Sequence, residues 1–329
     1  MFKKPKVMLL VLAVIVALAF DLVYYIAHPF GLSITVPHIS LAAEEVARLG
    51  PLKITNTLIA SWVTMLVLIV IALLATRKME LVPRGLQNVV EFVIEMLYNQ
   101  VKATAGKSAA LIFPTIATLF LFIIVSNWMG LLPGYLSITW AVGGAEQGAE
   151  AAHRVHLLRS ANTDLNTTLA LAIVSVLMSQ VYGVIVVGFP RYFMRFFAVR
   201  RYIAFFKGLA GRGPRQGVGS LFMGFIDIFI GVLELFDEFT KIMSFGFRLF
   251  GNIFAGEVLL GVMVFLLPFV ASLPFLGLEL FVGFIQAFVF AVLSTAFISQ
   301  ATAHHGDEAA KREHTEQPAA QPQMASSVS

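Results

Sequence analysis

Between Lys241 and Glu279 the chain carries only two charges, Arg248 and Glu257, set among Phe, Leu, Ile, Val and Gly. A charge at the middle of a bilayer costs at least ~2.5 kcal/mol on insertion scales, so such residues are kept for a use. A guanidinium does not lose its proton in a protein, whereas a buried lysine readily does. Arg248 is therefore a fixed positive charge. At helical spacing Ser244, Gly251, Asn252 and Ala255 fall on its side, forming a stripe of small residues that a second helix could approach closely. Glu257, nine residues on, lies about 180° around the helix and ~13 Å along it. That phase disfavours an ion pair with Arg248, and the helix shows a cation to one neighbour and a carboxylate to another. The chemistry these types support is ion movement past a charge that cannot itself titrate.

The background makes this a membrane chemistry. The chain has 329 residues, 58% of them hydrophobic and 13% charged, with a mean hydropathy of +0.85. It is too apolar for a soluble globule and contains several runs long enough to cross a bilayer. The absence of cysteine excludes disulfides, thiolate metal sites and cysteine nucleophiles. The net charge of +4 does not indicate nucleic-acid binding, because the basic residues collect in loops on one side, as the positive-inside rule expects. No cofactor is expected. His304 and His305 lack convergent ligands, so no metal site is expected either.

Several elements must position the charges. Residues 1–27 fit either a secretory signal cut before Phe20 or an extra anchor helix, and both leave residues 28–53 outside the cytoplasm. A first secure span covers 54–76. Residues 83–102 place Leu86, Val89, Val90, Val93, Leu97 and Val101 on one face and are amphipathic, predicting a helix at the cytoplasmic surface or packed on a partner. A second span covers 109–132. The polar loop that follows ends in Asp164 and Asn166, which suit the N-cap of a third span over 167–189. From Arg191 to Arg215 there are seven basic residues and no acidic one, which predicts a cytoplasmic loop. Residues 217–267 are too long for one perpendicular crossing, yet Asp227, Glu234, Glu238, Lys241 and Arg248 keep one helical phase. They predict a single long, tilted helix with possible breaks at glycines. A last span over 275–303 carries Glu279 and Gln286 on one face, and the tail 304–329 is predicted to be disordered and cytoplasmic. The chain thus reads as one membrane domain: an all-α polytopic membrane protein with five to six membrane helices. Two of these helices are long and tilted, and the segment 83–102 adds an amphipathic interfacial helix.

The run Arg248-Leu249-Phe250-Gly251-Asn252, continued by Ala255-Gly256-Glu257, resembles the signature of subunit a of F-type ATP synthases. Gln286, the residues Glu234, Lys241 and Ser244, the region Asp164-Leu165-Asn166 and the amphipathic segment support the resemblance. It spans roughly residues 50–303. It implies that the two long helices form a hairpin against a rotating ring of c subunits, and that two offset half-channels open to opposite sides. Arg248 then faces the ring carboxylate, flanked by Asn252 and Gln286. Glu257 is the acid of the external half-channel, and Glu279 stands where many bacterial members have histidine. Asp164 and Asn166 belong to the external entrance. Glu234, Asp237, Thr240, Lys241 and Ser244 belong to the cytoplasmic half-channel. The implied partners are the c-subunit ring, peripheral stalk b subunits, other ATP synthase subunits and the lipid of a bacterial inner (plasma) membrane. Antiparallel pairing of the long helices would bring Glu257 and Glu279 to similar depth, where two close carboxylates would share one proton. A proton-coupled secondary transporter is the competing expectation, though the chain shows no internal repeat or paired broken helices. A purely structural scaffold would leave the buried acids unexplained.

Overall fold

Helices dominate because the apolar runs can satisfy their own backbone groups in no other local way once water is excluded. The computed structural model describes residues 42–132, 135, 138–142, 153–189, 192, 219–266 and 272–303. The expected signal or anchor at 1–27, the basic stretch at 191–215 apart from Tyr192, and the tail at 304–329 lie outside the described residues. Six α-helices follow in chain order among the described residues: α1 (Asn56–Thr76), α2 (Leu86–Ala105), α3 (Ala109–Gly130), α4 (Leu165–Val187), α5 (Gly219–Leu266) and α6 (Ser272–Ala303). Their ends obey local rules. The Thr55 hydroxyl accepts the Leu58 amide at 3.3 Å to cap α1. Gly85 and Gly106 bracket α2 with φ of 60° and 53°, values that would strain a residue with a Cβ.

Among the described residues five stretches are long and apolar enough to cross a membrane: Asn56–Thr76, Leu86–Gly130, Leu165–Val187, Gly224–Val264 and Ser272–Thr302. The second joins α2 to α3 through a single 3-10 turn, Gly106–Ser108. The protein is therefore a helical, multi-pass membrane protein. At 1.5 Å per residue the 48 residues of α5 extend ~72 Å, more than twice a ~30 Å hydrocarbon core. It is continuous through its glycines.

The core is built from Ile112, Ile116, Phe120 and Ile123 of α3, Ala172 of α4, Leu249 and Ile253 of α5, and Ala287, Phe290 and Ile298 of α6. Phe245 of α5 reaches Phe290 and Phe297 of α6 with ring centroids 5.0 and 5.2 Å apart. Further along, Asn252 meets Gln286 and Gly256 meets Glu279, so α5 and α6 form an antiparallel hairpin. A Cβ at Gly246 would stand 2.5 Å from a Leu169 methyl carbon, which shows how closely α4 approaches α5. Hydroxyl pairs stitch the bundle: Ser175 to Ser294 at 2.6 Å and Thr115 to Tyr182 at 2.8 Å. The outward faces, including Trp62, Leu66, Ile69 and Leu73 of α1, Leu177 and Ile185 of α4 and Phe229, Phe236 and Phe239 of α5, are exposed and apolar. Lipid is the solvent that suits them.

The expected amphipathic face of α2 divides in two. Leu97 and Val101 are buried, while Leu86 and Val89 are exposed, so only the C-terminal half of the helix packs against the bundle. Among the described residues are two short antiparallel ladders, which the hydropathy pattern does not announce, one ahead of α1 and one between α3 and α4. Strand β1 (Glu45–Leu49) pairs with β2 (Leu52–Thr55), and β3 (Thr139–Val142) pairs with β4 (His153–His156).

Candidate functional site

The hairpin of α5 and α6 gathers most of the singled-out residues at three levels. At the middle level Ser244, Phe247, Arg248, Gly251, Asn252 and Ala255 are all exposed, while Phe245, Leu249, Ile253 and Gly256 on the opposite face are buried. The predicted stripe of small residues around the arginine is thus an open surface, and a Cβ at Gly251 would meet nothing within 4 Å. The Arg248 guanidinium donates to the Ser244 hydroxyl at 3.5 Å and lies 5.9 Å from the centre of the Phe245 ring. Among the described residues no carboxylate stands within ion-pair distance of it. Asn252 donates to the Gln286 side-chain oxygen at 2.7 Å, joining the two helices beside the arginine. Gln286 is itself buried.

Toward the N-terminal half of α5, seven residues or ~10 Å from Arg248, Lys241 forms ion pairs with Asp237 at 3.0 Å and Glu238 at 2.9 Å. Its ammonium also sits 5.0 Å from the centre of the Phe297 ring on α6. Glu238 joins this cluster although the family resemblance did not single it out, and its second oxygen is buried without a hydrogen bond. Thr240 turns its hydroxyl back to the Phe236 carbonyl, and Glu234 is half-buried. Of the five residues expected at this level, Lys241 pairs with Asp237, whereas Thr240 bonds the backbone of its own helix and Ser244 lies beside Arg248.

Toward the C-terminal half of α5 lie Glu257 and Glu279. Glu279 is buried, and its carboxylate rests against the α-carbon of Gly256, the residue before Glu257, so the two acids do occupy similar depth. They are not hydrogen-bonded to each other. Glu257 instead receives Arg159, whose Nε donates to both carboxylate oxygens at 3.0 and 3.1 Å and whose Nη2 donates at 3.0 Å. The expectation of a proton shared between the acids gives way to an ion pair, because a third residue supplies the counter-charge.

Arg159 belongs to the polar loop ahead of Asp164 and is not among the residues that the sequence singles out. In the structure residues 159–164 are all buried. Ser160 donates to the Ser126 carbonyl at 3.2 Å, and Asn162 donates to the Asn127 side-chain oxygen at 2.7 Å. Asn127 in turn donates to the Gly283 carbonyl of α6 at 3.1 Å, and the Trp128 indole N–H to that of Leu280. A polar seam thus runs from the loop through α3 to the turn of α6 that follows Glu279. The one sequence signal for it is an arginine ahead of an N-cap box, which hydropathy alone does not distinguish from a solvated loop.

Asp164 and Asn166 take the cap position. Asp164 accepts the Asn166 amide at 3.0 Å and the Thr57 hydroxyl at 3.1 Å, tying the start of α4 to α1. Asn166 is exposed, and none of these bonds reaches Glu257 or Glu279. Asp164→Ala is expected to cost about 1 kcal/mol of stability, the usual worth of a cap, and Asp164→Asn much less. Thermal unfolding of the purified protein in detergent checks this, and equal midpoints for wild type and Asp164→Ala would remove the cap's role.

Comparison with known proteins gives one answer at the level of the family. A family model described as ATP synthase A chain matches residues 58–299. The chain is 31% identical over 262 residues to ATP synthase subunit a of Syntrophobacter fumaroxidans, covering 79% of this chain and 90% of that protein. It is 29% identical over 255 residues to ATP synthase subunit a of Moorella thermoacetica, covering 78% and 94% respectively.

Proposed function

The chain belongs to the ATP synthase A chain family, and from that premise we propose that it is the proton-translocating stator subunit of an F-type ATP synthase, with Arg248 separating two offset half-channels. The coarse function, ion transport coupled to ATP synthesis by a multi-pass membrane subunit working with other synthase subunits, follows from the family. The finer reading rests on one observation above all. An arginine that cannot titrate lies exposed in an open stripe of small residues, beside the exposed Phe247 and, among the described residues, without an acid of its own. A surface of that kind suits an apolar helix that brings its own carboxylate, and the c-subunit ring is the partner with that chemistry.

In this reading the cluster of Asp237, Glu238 and Lys241 serves the cytoplasmic path, with Glu234, Thr240 and Ser244 along it. The level of Glu257 and Glu279 serves the external path, beneath an entrance near Asp164 and Asn166. A ring carboxylate arriving at Arg248 releases its proton to one path, because its ionised form is favoured beside the guanidinium. Beyond the arginine it meets apolar surroundings that favour the neutral acid, so it must take a proton from the other path before it faces lipid. Peripheral stalk b subunits hold the chain still, and a bacterial plasma membrane with the C-terminus on the cytoplasmic side is the setting.

Cysteine chemistry tests the two-path arrangement cleanly because the chain has no cysteine of its own. In the assembled complex, a membrane-impermeant thiol reagent applied from the cytoplasmic side is expected to inhibit Ser244→Cys more than Glu257→Cys. Applied from the opposite side, the order is expected to reverse. Equal sensitivity of both from one side would mean a single through-pore.

A further inference from the structure

Lys241 serves two carboxylates that stand on different faces of α5. Asp237, 63% exposed, shares the open stripe with Ser244, Arg248 and Gly251. Glu238, 16% exposed, lies two and three turns before Phe245 and Leu249 on the face that packs into the core. The Lys241 ammonium is 3.0 Å from an oxygen of Asp237 and 2.9 Å from Oε1 of Glu238, and 5.0 Å from the centre of the Phe297 ring on α6. Oε2 of Glu238 is buried and accepts no hydrogen bond among the described residues. With both acids ionised the trio carries one negative charge in excess, and a single proton removes it. A buried oxygen that no donor reaches is a costly place to leave that charge, whereas water reaches the ionised Asp237. The proton that neutralises the trio therefore belongs on Glu238. When it arrives, Lys241 still has Asp237 as its counter-ion.

We infer that Glu238 is the proton-carrying acid of the cytoplasmic path, with Oε2 as the atom that takes and gives the proton and Lys241 as the bridge that keeps the trio in charge balance. The inference rests on the proton-path reading given above and names one acid where that reading named a region. In the step itself a proton adds to Oε2 of the ionised carboxylate and later leaves from the same oxygen to water. Lys241 keeps its three protons throughout. Asp237, on the open face, balances the ammonium while Glu238 is neutral.

A structural ion pair and a proton carrier respond differently to replacement. As a tie for Lys241, Glu238 is replaceable by glutamine, because Asp237 still pairs with the ammonium and the amide oxygen still accepts from it. As a carrier it is not. Gradient-driven ATP synthesis and ATP-driven proton pumping are measured in liposomes holding the complete complex, and each is expressed per assembled complex from subunit retention. Glu238→Gln is expected to lose ~100-fold in both, the low end of what a positioned acid or base contributes. Glu238→His exchanges protons near neutrality but cannot pair with an ammonium as an anion, and is expected to recover at least ~tenfold over Glu238→Gln. Asp237→Asn is expected to lose only several-fold, since Glu238 keeps its place. Histidine at or below glutamine overturns the proposal, as does Glu238→Gln within several-fold of wild type. Should glutamine prevent assembly, Glu238→His below ~1% of wild type per assembled complex overturns it instead. If Glu238→Gln couples normally while Asp237→Asn and Lys241→Gln fail, the proposal falls and the proton-path reading of this level stands. If all three couple normally, that reading fails here as well.

Discussion

Arg248→Ala is expected to abolish ATP synthesis driven by a proton gradient, while the complex still assembles and passive proton leak through the membrane sector persists or rises. The side chain is exposed and its sole described hydrogen bond is a long one to Ser244, so the fold of this chain loses little with it. What is lost is the encounter. A carboxylate within 4 Å of the guanidinium gains ~4 kcal/mol in its ionised form at an effective dielectric of 20, enough to make it yield its proton on arrival. Without the fixed charge, nothing forces that release, and nothing repels protons that would pass directly between the two paths. Arg248→Lys is expected to fail as well, because a lysine in apolar surroundings can lose its proton and with it the barrier. Reconstituted vesicles give the result directly. Gradient-driven ATP synthesis by Arg248→Ala would falsify the central assignment.

The second large effect is expected at a residue with no side chain. A Cβ added at Gly256 would fall on the Glu279 carboxylate, so Gly256→Ala moves that acid from its place against α5, and Gly256→Leu forces the two long helices apart. The alanine variant is expected to assemble and yet lose at least ~tenfold in gradient-driven synthesis, as displacement of a positioned acid allows. The leucine variant is expected to assemble poorly, since overpacking costs about 1–3 kcal/mol. Gly277→Ala provides the contrast. That glycine is exposed on α6, with nothing within 4 Å of where a Cβ would go, and the substitution favours the helix. Its activity is expected to stay near wild type. Equal loss in Gly256→Ala and Gly277→Ala would show that the glycines act through backbone flexibility and that the contact with Glu279 is incidental.

Helix phase carried much of this site into the sequence. The spacing of Ser244, Arg248, Gly251 and Ala255 fixes one face of α5, and that face is the open one. The long runs gave α1, α3, α4 and α5 to within a few residues, because a membrane span has to be both apolar and helical. α6 begins at Ser272, three residues before the expected 275, with Pro274 inside its first turn, where a proline is tolerated. Arg159 was invisible for a different reason. Its neighbours are polar and its segment is not helical, so no period tells a solvated loop from one tucked between helices, and only the tertiary partner Glu257 reveals which it is. The half-buried face of α2 and the two short ladders were likewise decided by neighbours outside their own windows.

The uninterrupted course of α5 from Gly219 to Leu266 has a mechanical side. On the proposed reading, a stator must return every twist exerted on it with an equal and opposite reaction, and any hinge between the two proposed proton paths would absorb part of each step as bending. A helix that passes both paths and Arg248 without a break carries them on one stiff beam, braced by the phenylalanine contacts to α6 and the close approach of α4 at Gly246. The angular offset between the places where a proton boards and leaves is then set by the rise and turn of a single helix. Under torque that offset holds, and the motor keeps its gearing.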